Sequence, residues 1–158
     1  MAWGSTAPAA MAGLVTLVGG RVAALVIPVG GTRPQVKDGA QVSSAGTKEA
    51  IDIGYQDEDN AAVEWVIDPD ESTTAADLEH YTINCAVRIL KARDMIAARN
   101  RAFELLAVVG GAIKTDPTLG GAVMTARITS YSLEPVQSLG GALAPILFGV
   151  TCTAWTTE

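Results

Sequence analysis

Six carboxylates in two short acidic turns are the side chains best suited to bind a cation. They are Asp57, Glu58, Asp59, Asp68, Asp70 and Glu71. Hard divalent cations prefer several carboxylate oxygens. The spacing lacks both the internal glycine and the closing glutamate of a calcium-binding loop. We therefore interpret the six residues as solvated turns or a contact surface, and we predict no metal site.

The residues that commonly act as nucleophiles or general bases are few. His80 is the one histidine, and the two cysteines, Cys85 and Cys152, lie far apart in apolar runs. This set cannot assemble a Cys/His zinc site within one chain. His80 has no Gly-x-Ser-x-Gly elbow to accompany it, and the paired glycines lack the spacing of phosphate-binding loops. We predict no catalytic residue, no cofactor and no enzymatic activity, and we expect two buried free thiols in a reducing compartment.

Composition narrows the classes of protein further. The chain has 158 residues, with 17 acidic and 11 basic side chains and a net charge of −6. Gripping a nucleic-acid backbone requires clustered Lys and Arg, so a basic nucleic-acid binder is excluded. The apolar run over residues 11–30 is interrupted by Gly19-Gly20, Arg21 and Pro28. We expect no membrane span and a protein that is cytoplasmic when synthesised.

Charge is segregated along the chain. Eleven acids and no Lys or Arg lie between Lys48 and Arg88. A basic segment follows directly, comprising Arg88, Lys91, Arg93, Arg99 and Arg101. In a closed ring, the acidic surface of one copy would meet the basic segment of the next. The alternative, that both are ordinary solvated surface, remains open at this point.

Hydrophobic periodicity predicts the elements that position these residues. A helix begins near Ala7, with Met11, Leu14, Val15 and Val18 on its apolar side, and ends at Gly19-Gly20. A β-branched strand covers residues 21–29. Residues 1–6 are predicted to be a loose leader, and residues 30–46 an exposed loop.

The remainder of the chain is predicted to be mainly strands. They cover residues 48–55, 61–67, 79–90, 122–133 and 144–155. A second helix covers 91–113 and is predicted to bury one side, made of Ala92, Met95, Ile96, Arg99, Phe103, Leu106, Ala107 and Ile113. Since the last two strands follow one another directly, we predict an α+β domain over residues 1–158, with a mainly antiparallel sheet packed against two helices.

Several segments, in this order and spacing, resemble the tail terminator (tail completion) proteins of long-tailed, siphovirus-type bacteriophages. The resemblance covers roughly residues 11–155. The segments are Leu17-Val18-Gly19-Gly20-Arg21-Val22, Ile51-Asp52-Ile53-Gly54-Tyr55, Tyr81-Thr82-Ile83-Asn84-Cys85-Ala86-Val87, Ala98-Arg99-Asn100-Arg101-Ala102-Phe103-Glu104-Leu105-Leu106, Asp116-Pro117-Thr118-Leu119-Gly120-Gly121 and the C-terminal strand pair.

The resemblance implies a non-enzymatic virion subunit of the tail and neck. Such subunits form a ring, usually a homohexamer, at the head-proximal end of the tail tube. The ring ends tube polymerisation and joins the tail to a head-completion or connector protein, while DNA passes through the lumen without specific binding. An acidic lumen would repel that DNA.

From charge placement we expect the six acids named above, Asp57 to Glu71, to face the lumen or a partner. Arg93, Arg99 and Arg101 are the corresponding subunit-interface candidates. The alternatives are another head–tail connector, a tail-tube subunit, or a small acidic metabolic enzyme. An enzyme of that kind would need a pocket with converging polar groups.

Overall fold

The fold is α+β, as predicted. A computed structural model describes residues 4–39, 48–57, 61–69, 71–89, 94–134, 136–138 and 141–157. Helices α1 (Ala7–Ala23) and α2 (Met95–Thr115) pack against a six-stranded sheet, and a separate hairpin is formed by β6 (Val136–Ser138) and β7 (Gly141–Leu143). The six strands are β1 (Gln35–Asp38), β2 (Glu49–Ile53), β3 (Val63–Asp68), β4 (Leu78–Ile89), β5 (Thr125–Leu133) and β8 (Ile146–Trp155).

Strand β4 organises the sheet because it is long enough to pair with two strands along one side. The strand order is β1-β2-β4-β8-β5, and β3 lies beside β4 beyond the end of β2. Thus Ile53 of β2 pairs with Cys85, and Val63 of β3 pairs with Ile83. All the pairings of this sheet are antiparallel except that of β1 with β2.

The core lies between the two helices and one face of the sheet. The predicted alternation of β4 is confirmed, since its odd-numbered residues Tyr81, Ile83, Cys85, Val87 and Ile89 are all buried. The predicted apolar side of α1 is confirmed as well, since Leu14 and Val18 are buried and Met11 and Val15 are partly buried against the core. Both cysteines are buried free thiols, as expected.

The predicted end of α1 at Gly19-Gly20 is wrong, and so is the strand over residues 21–29. The helix continues to Ala23. Burial of Val18 and Val22 outweighs the cost of about 1 kcal/mol for each helical glycine. The Arg33 guanidinium then donates to the carbonyl oxygens of Val22, Ala23 and Leu25, at 2.5, 3.1 and 3.0 Å, which satisfies groups left unpaired at the helix end.

Two further boundaries differ from the prediction. The expected loop over 30–46 contains β1, whose Val36 packs on the core, while residues 40–46 lie outside the described part of the chain. The last strand begins at Ile146, not at Ala144, because the β6–β7 hairpin precedes it. A short strand such as β1 lacks enough alternation to be recognised from sequence.

The predicted inner side of α2 is confirmed at Leu106 and Ile113, and Met95 packs against the core, but the prediction is wrong at four other positions. The helix buries Ala98, Ala102, Leu105, Leu106, Val109, Ala112 and Ile113. Ile96 and Phe103 are exposed instead, as are Arg99 and Ala107, and Ala92 lies outside the described residues. Alanines let the helix approach its neighbours closely, whereas Phe103 packs edge-on against Tyr131 with ring centroids 6.1 Å apart.

Candidate subunit surface

Of the six acidic candidates, the structure describes Asp57, Asp68 and Glu71. Asp57 follows β2 beside Tyr55, whose backbone amide donates to the carbonyl of Asn84 at the middle of β4. Asp68 ends β3 opposite Leu78, at the start of β4. Asn84 and Leu78 are six residues apart on β4, about 20 Å at the strand rise per residue. Glu58, Asp59 and Asp70 lie outside the described residues.

Asp68 and Glu71 form a local turn. The Glu71 amide donates to a carboxylate oxygen of Asp68 at 3.2 Å, and the other Asp68 oxygen lies 3.9 Å from Nε2 of His80. His80 sits on the side of β4 that faces away from the core, as predicted, and its Nδ1 lies 3.1 Å from the Thr153 hydroxyl. Among the residues that the structure describes, no group of three His, Cys, Asp or Glu could hold a metal ion.

Two arginines of the basic segment are paired within the chain. Arg101 binds the carboxylate of Glu49 through two nitrogens, at 2.5 and 3.2 Å, and contacts Glu104 at 3.0 Å. The hydrogen bonds that Arg101 donates to the Glu49 carboxylate raise the pKa of Arg101. Arg88 binds Asp52 with the same two distances. Charges that the sequence places in separate segments thus meet within one molecule.

The other basic candidates have different surroundings. Arg99 is exposed on α2 and has no ion-pair partner in the described ranges. Arg93 lies outside those ranges. Arg99 is consequently the described interface candidate whose charge is available to a neighbouring molecule.

The end of the predicted leader is fixed to the sheet by a buried carboxylate. Glu79 is fully buried, and it accepts hydrogen bonds from the backbone amide and hydroxyl of Thr6, both at 2.7 Å, and from Ser5 Oγ at 2.8 Å. Thr6 also contacts the Tyr81 hydroxyl at 2.9 Å. The Thr6 side chain therefore makes no capping hydrogen bond to α1. Burial raises the pKa of Tyr81, which keeps its hydroxyl neutral.

Three strands of the sheet, β1, β3 and β5, each have one edge that no other described strand pairs with, and β1 pairs with β2 alone. β3 pairs with β4 alone, and β5 pairs with β8 alone, so each presents one edge to which no described strand is bonded. Trp65 and Val66 of β3 are 51% and 67% exposed, and Tyr131 of β5 is 61% exposed. Exposed apolar edge strands readily accept another strand, which is why isolated proteins usually protect them.

The helix-free face of the sheet is covered mainly by hydroxyls. The Thr82 and Thr151 hydroxyls are 3.1 Å apart, and Thr151 lies 2.7 Å from the Thr129 hydroxyl. A Cβ at Gly149 would come within 2.8 Å of the Thr82 methyl group, so glycine allows these rows to pack. The hydroxyls are neutral hydrogen-bonding groups, and the same face also carries the side chains of Glu64, His80 and Arg127.

Two cavities formed by described residues have no converging set of reactive groups. One of about 480 Å³ is lined by small residues of α1 and by the turn after α2. Asp116 in that turn accepts hydrogen bonds from Thr118 and from the Gly120 amide, and the bond from Thr118 lowers its pKa. Another cavity, of about 190 Å³, is lined by Tyr55, Asn84, Ser130 and Tyr131 among others. The Asp116 carboxylate, which lines the first cavity, thus stabilises the turn that follows α2.

Comparisons with known proteins give no family assignment. No protein-family model matches the sequence, and no curated protein is significantly similar to it. In the described part of the chain, no helix is both long and apolar enough to cross a membrane. The functional argument therefore depends on the residues themselves.

Sequence reasoning missed the strand edges as candidate surfaces. It assigned residues 30–46 to an exposed loop and residues 122–133 to an alternating strand without relating them. Whether a strand lies at the edge of a sheet depends on which other strands pair with it, and no local sequence pattern shows that. The exposed apolar run Trp65-Val66-Ile67 in so short a strand is the one available signal.

Proposed function

We propose that this chain is a ring-forming structural subunit of a bacteriophage virion, a tail terminator located in the tail and neck. Copies assemble head to tail into a closed ring, six in number by the resemblance. The ring caps the head-proximal end of the tail tube, ends its polymerisation and contacts a head-completion or connector protein. DNA passes through the lumen without specific binding, and the protein performs no catalysis and needs no cofactor.

The observation that carries this proposal is that strand edges without a described partner strand lie on opposite sides of one sheet. Different surfaces on the two sides of a subunit permit a heterologous contact, which closes into a ring when the rotation is suitable. The exposed side chains Trp65, Val66 and Tyr131 supply apolar area for that contact. The segment order resembling tail terminators supports the specific place in the virion.

Tube growth tests the terminator function directly. Tail-tube protein of the same virus is polymerised with and without the purified chain, and tube lengths are measured by electron microscopy. A terminator should bind one end of each tube and shorten the tubes as its concentration rises. Tubes that incorporate the chain along their length would indicate a tube subunit, and unchanged tubes without bound chain would contradict the proposal.

A further inference from the structure

The outermost strands of the sheet are β1 on one side and β5 on the other. β1 lies beyond β2, whereas β3 lies directly beside β4. β1 runs parallel to β2, and the pairs β2–β4, β4–β8 and β8–β5 are antiparallel, so β1 and β5 run in opposite directions. A rotation about an axis along the strands therefore brings β5 of one copy beside β1 of the next as an antiparallel pair.

A closed ring also fixes the register of that pair. Copies that are related by rotation alone keep the same height along the axis, so residues of one row stay level with each other. Two rows of the core face reach both edges. The first joins Val36, Ile51, Val87, Ile146 and Leu133, and the second joins Asp38, Ile53, Cys85, Phe148 and Tyr131. In the ring, Leu133 of one copy lies beside Val36 of the next, and Tyr131 lies beside Asp38.

The outer edge of β5 presents the backbone groups of Tyr131 and Leu133. Glu134, which follows β5, donates its backbone amide to the carbonyl of Pro145 at 3.2 Å. Backbone groups of successive strand residues point to opposite sides, so those of Tyr131 and Leu133 point away from β8. No described strand is bonded to them.

The outer edge of β1 presents the matching pair of residues. The backbone amide of Gly39, which follows β1, donates to the carbonyl of Ile53 in β2 at 2.7 Å. The same alternation turns the backbone groups of Val36 and Asp38 away from β2. Val36 is level with Leu133 and Asp38 with Tyr131, so each pair can exchange two backbone hydrogen bonds.

The side chains at these two edges are complementary. Val36 and Leu133 both pack on the core, so pairing would continue the core from one copy into the next. On the helix-free face, Lys37 is buried, and its amine has no hydrogen-bond partner among the described residues. Glu134 is exposed and has no ion-pair partner within the same ranges. Glu134 of one copy lies diagonal to Lys37 of the next, within reach of a lysine side chain, and supplies the acceptor that a buried ammonium requires.

We propose that copies of this chain join by strand addition at the outermost edges, with β5 of one copy antiparallel to β1 of the next and Leu133 level with Val36. The partner is a second copy, and this interface rests on the ring-forming function proposed above. It replaces the sequence-based expectation that the basic segment of α2 meets the acidic surface. The outward backbone groups and the opposite charges of Glu134 and Lys37 agree on one alignment.

Proline at an outward-facing position tests the backbone contact. Leu133→Pro removes an amide that points away from β8, so the bonds between β5 and β8 remain. It should raise the half-assembly concentration at least about tenfold in native mass measurements. Val63→Pro is the matched control, because Val63 is also partly buried and its amide points away from β4. It should change that concentration by less than about threefold.

A second measurement keeps the test independent of any folding defect. Gln35 and Glu134 are exposed, and each lies one residue beyond the level pair of Val36 and Leu133. The Gln35→Cys, Glu134→Cys double variant should therefore form covalent multimers on mild oxidation. The matched Glu64→Cys, Glu134→Cys variant places one cysteine on β3 and should not form them, and the natural cysteines are buried.

The outcomes separate the two proposals. A natural chain that forms rings, while Leu133→Pro assembles normally and Gln35→Cys, Glu134→Cys forms no covalent multimers, would overturn this interface alone. Multimers of the Glu64→Cys, Glu134→Cys variant in place of the other would also overturn it, in favour of β3. A natural chain that is monomeric at every concentration would overturn the ring as well.

Discussion

Two bidentate ion pairs with equal distances but unequal burial offer a direct test of how this sheet is stabilised. Asp52 is fully buried and Arg88 is 21% exposed, while Glu49 and Arg101 are 15% and 36% exposed. The geometry is otherwise matched, at 2.5 and 3.2 Å in each pair. We compare Asp52→Asn with Glu49→Gln, since both changes remove a charge and keep the side-chain shape.

Burial sets the expected magnitudes. Breaking a buried pair typically costs about 3–5 kcal/mol because one charge is left unpaired, whereas exposed pairs contribute about 0.2–1 kcal/mol. Asparagine retains one acceptor for Arg88, and Arg88 is partly solvated, so Asp52→Asn should lower the free energy of unfolding by about 2–3 kcal/mol. Glu49→Gln should lower it by about 1 kcal/mol or less, because water reaches Arg101.

Urea unfolding at one protein concentration measures both effects, and repetition at high salt separates them. Salt screens exposed charges more than buried ones, so the smaller effect should shrink while that of Asp52→Asn persists. Equal costs for the two variants, or a cost below about 1 kcal/mol for Asp52→Asn, would refute the assignment of Asp52 as the more strongly stabilising carboxylate.

Three further outcomes rest on local contacts. Gly13→Ala should lower the free energy of unfolding by about 2 kcal/mol, because its Cβ would clash with the backbone carbonyl oxygen of Leu119. Gly19→Ala, which faces open space, should raise it by about 0.5–1 kcal/mol. Equal effects of the two changes in urea unfolding would contradict this packing. Burial raises the pKa of the Cys85 and Cys152 thiols to about 12. A thiol reagent should therefore label only unfolded protein, and the free energy of unfolding should fall as pH rises from about 8.5 towards 12. Rapid labelling of the folded chain would be inconsistent with burial. Glu79→Ala should lower the free energy of unfolding by about 3 kcal/mol, and Glu79→Gln, which still accepts hydrogen bonds, should lower it by about 1 kcal/mol. Equal urea midpoints for the two variants would argue against the buried hydrogen bonds of Glu79.

The fold was predictable where a local pattern coincides with burial. The alternation of β4 and the spacing of Leu14, Val18 and Val22 in α1 follow from side-chain periods that burial on one face imposes. The helix end predicted at Gly19-Gly20 was wrong because the end of a helix depends on tertiary packing as well as on helix propensity. The prediction of which residues α2 buries was wrong at several positions because it took side-chain size as a guide to burial. Close packing of the helix favours alanine there.

The candidate surface was less predictable because it depends on pairing. The segregation of charge is visible in the sequence, but only the fold shows Arg88 on Asp52 and Arg101 on Glu49. The row that joins Val36 to Leu133 crosses five strands distant in sequence, and register cannot be inferred from any one of them.

The oligomeric state of the full chain tests the central claim most directly. Native mass measurement over a range of concentrations, with electron microscopy of the same sample, should show one discrete multiple of the 16.3 kDa chain and closed rings of one size. A chain that stays monomeric at every concentration, or that grows into open-ended filaments of variable length, would contradict the proposal of a ring-forming terminator.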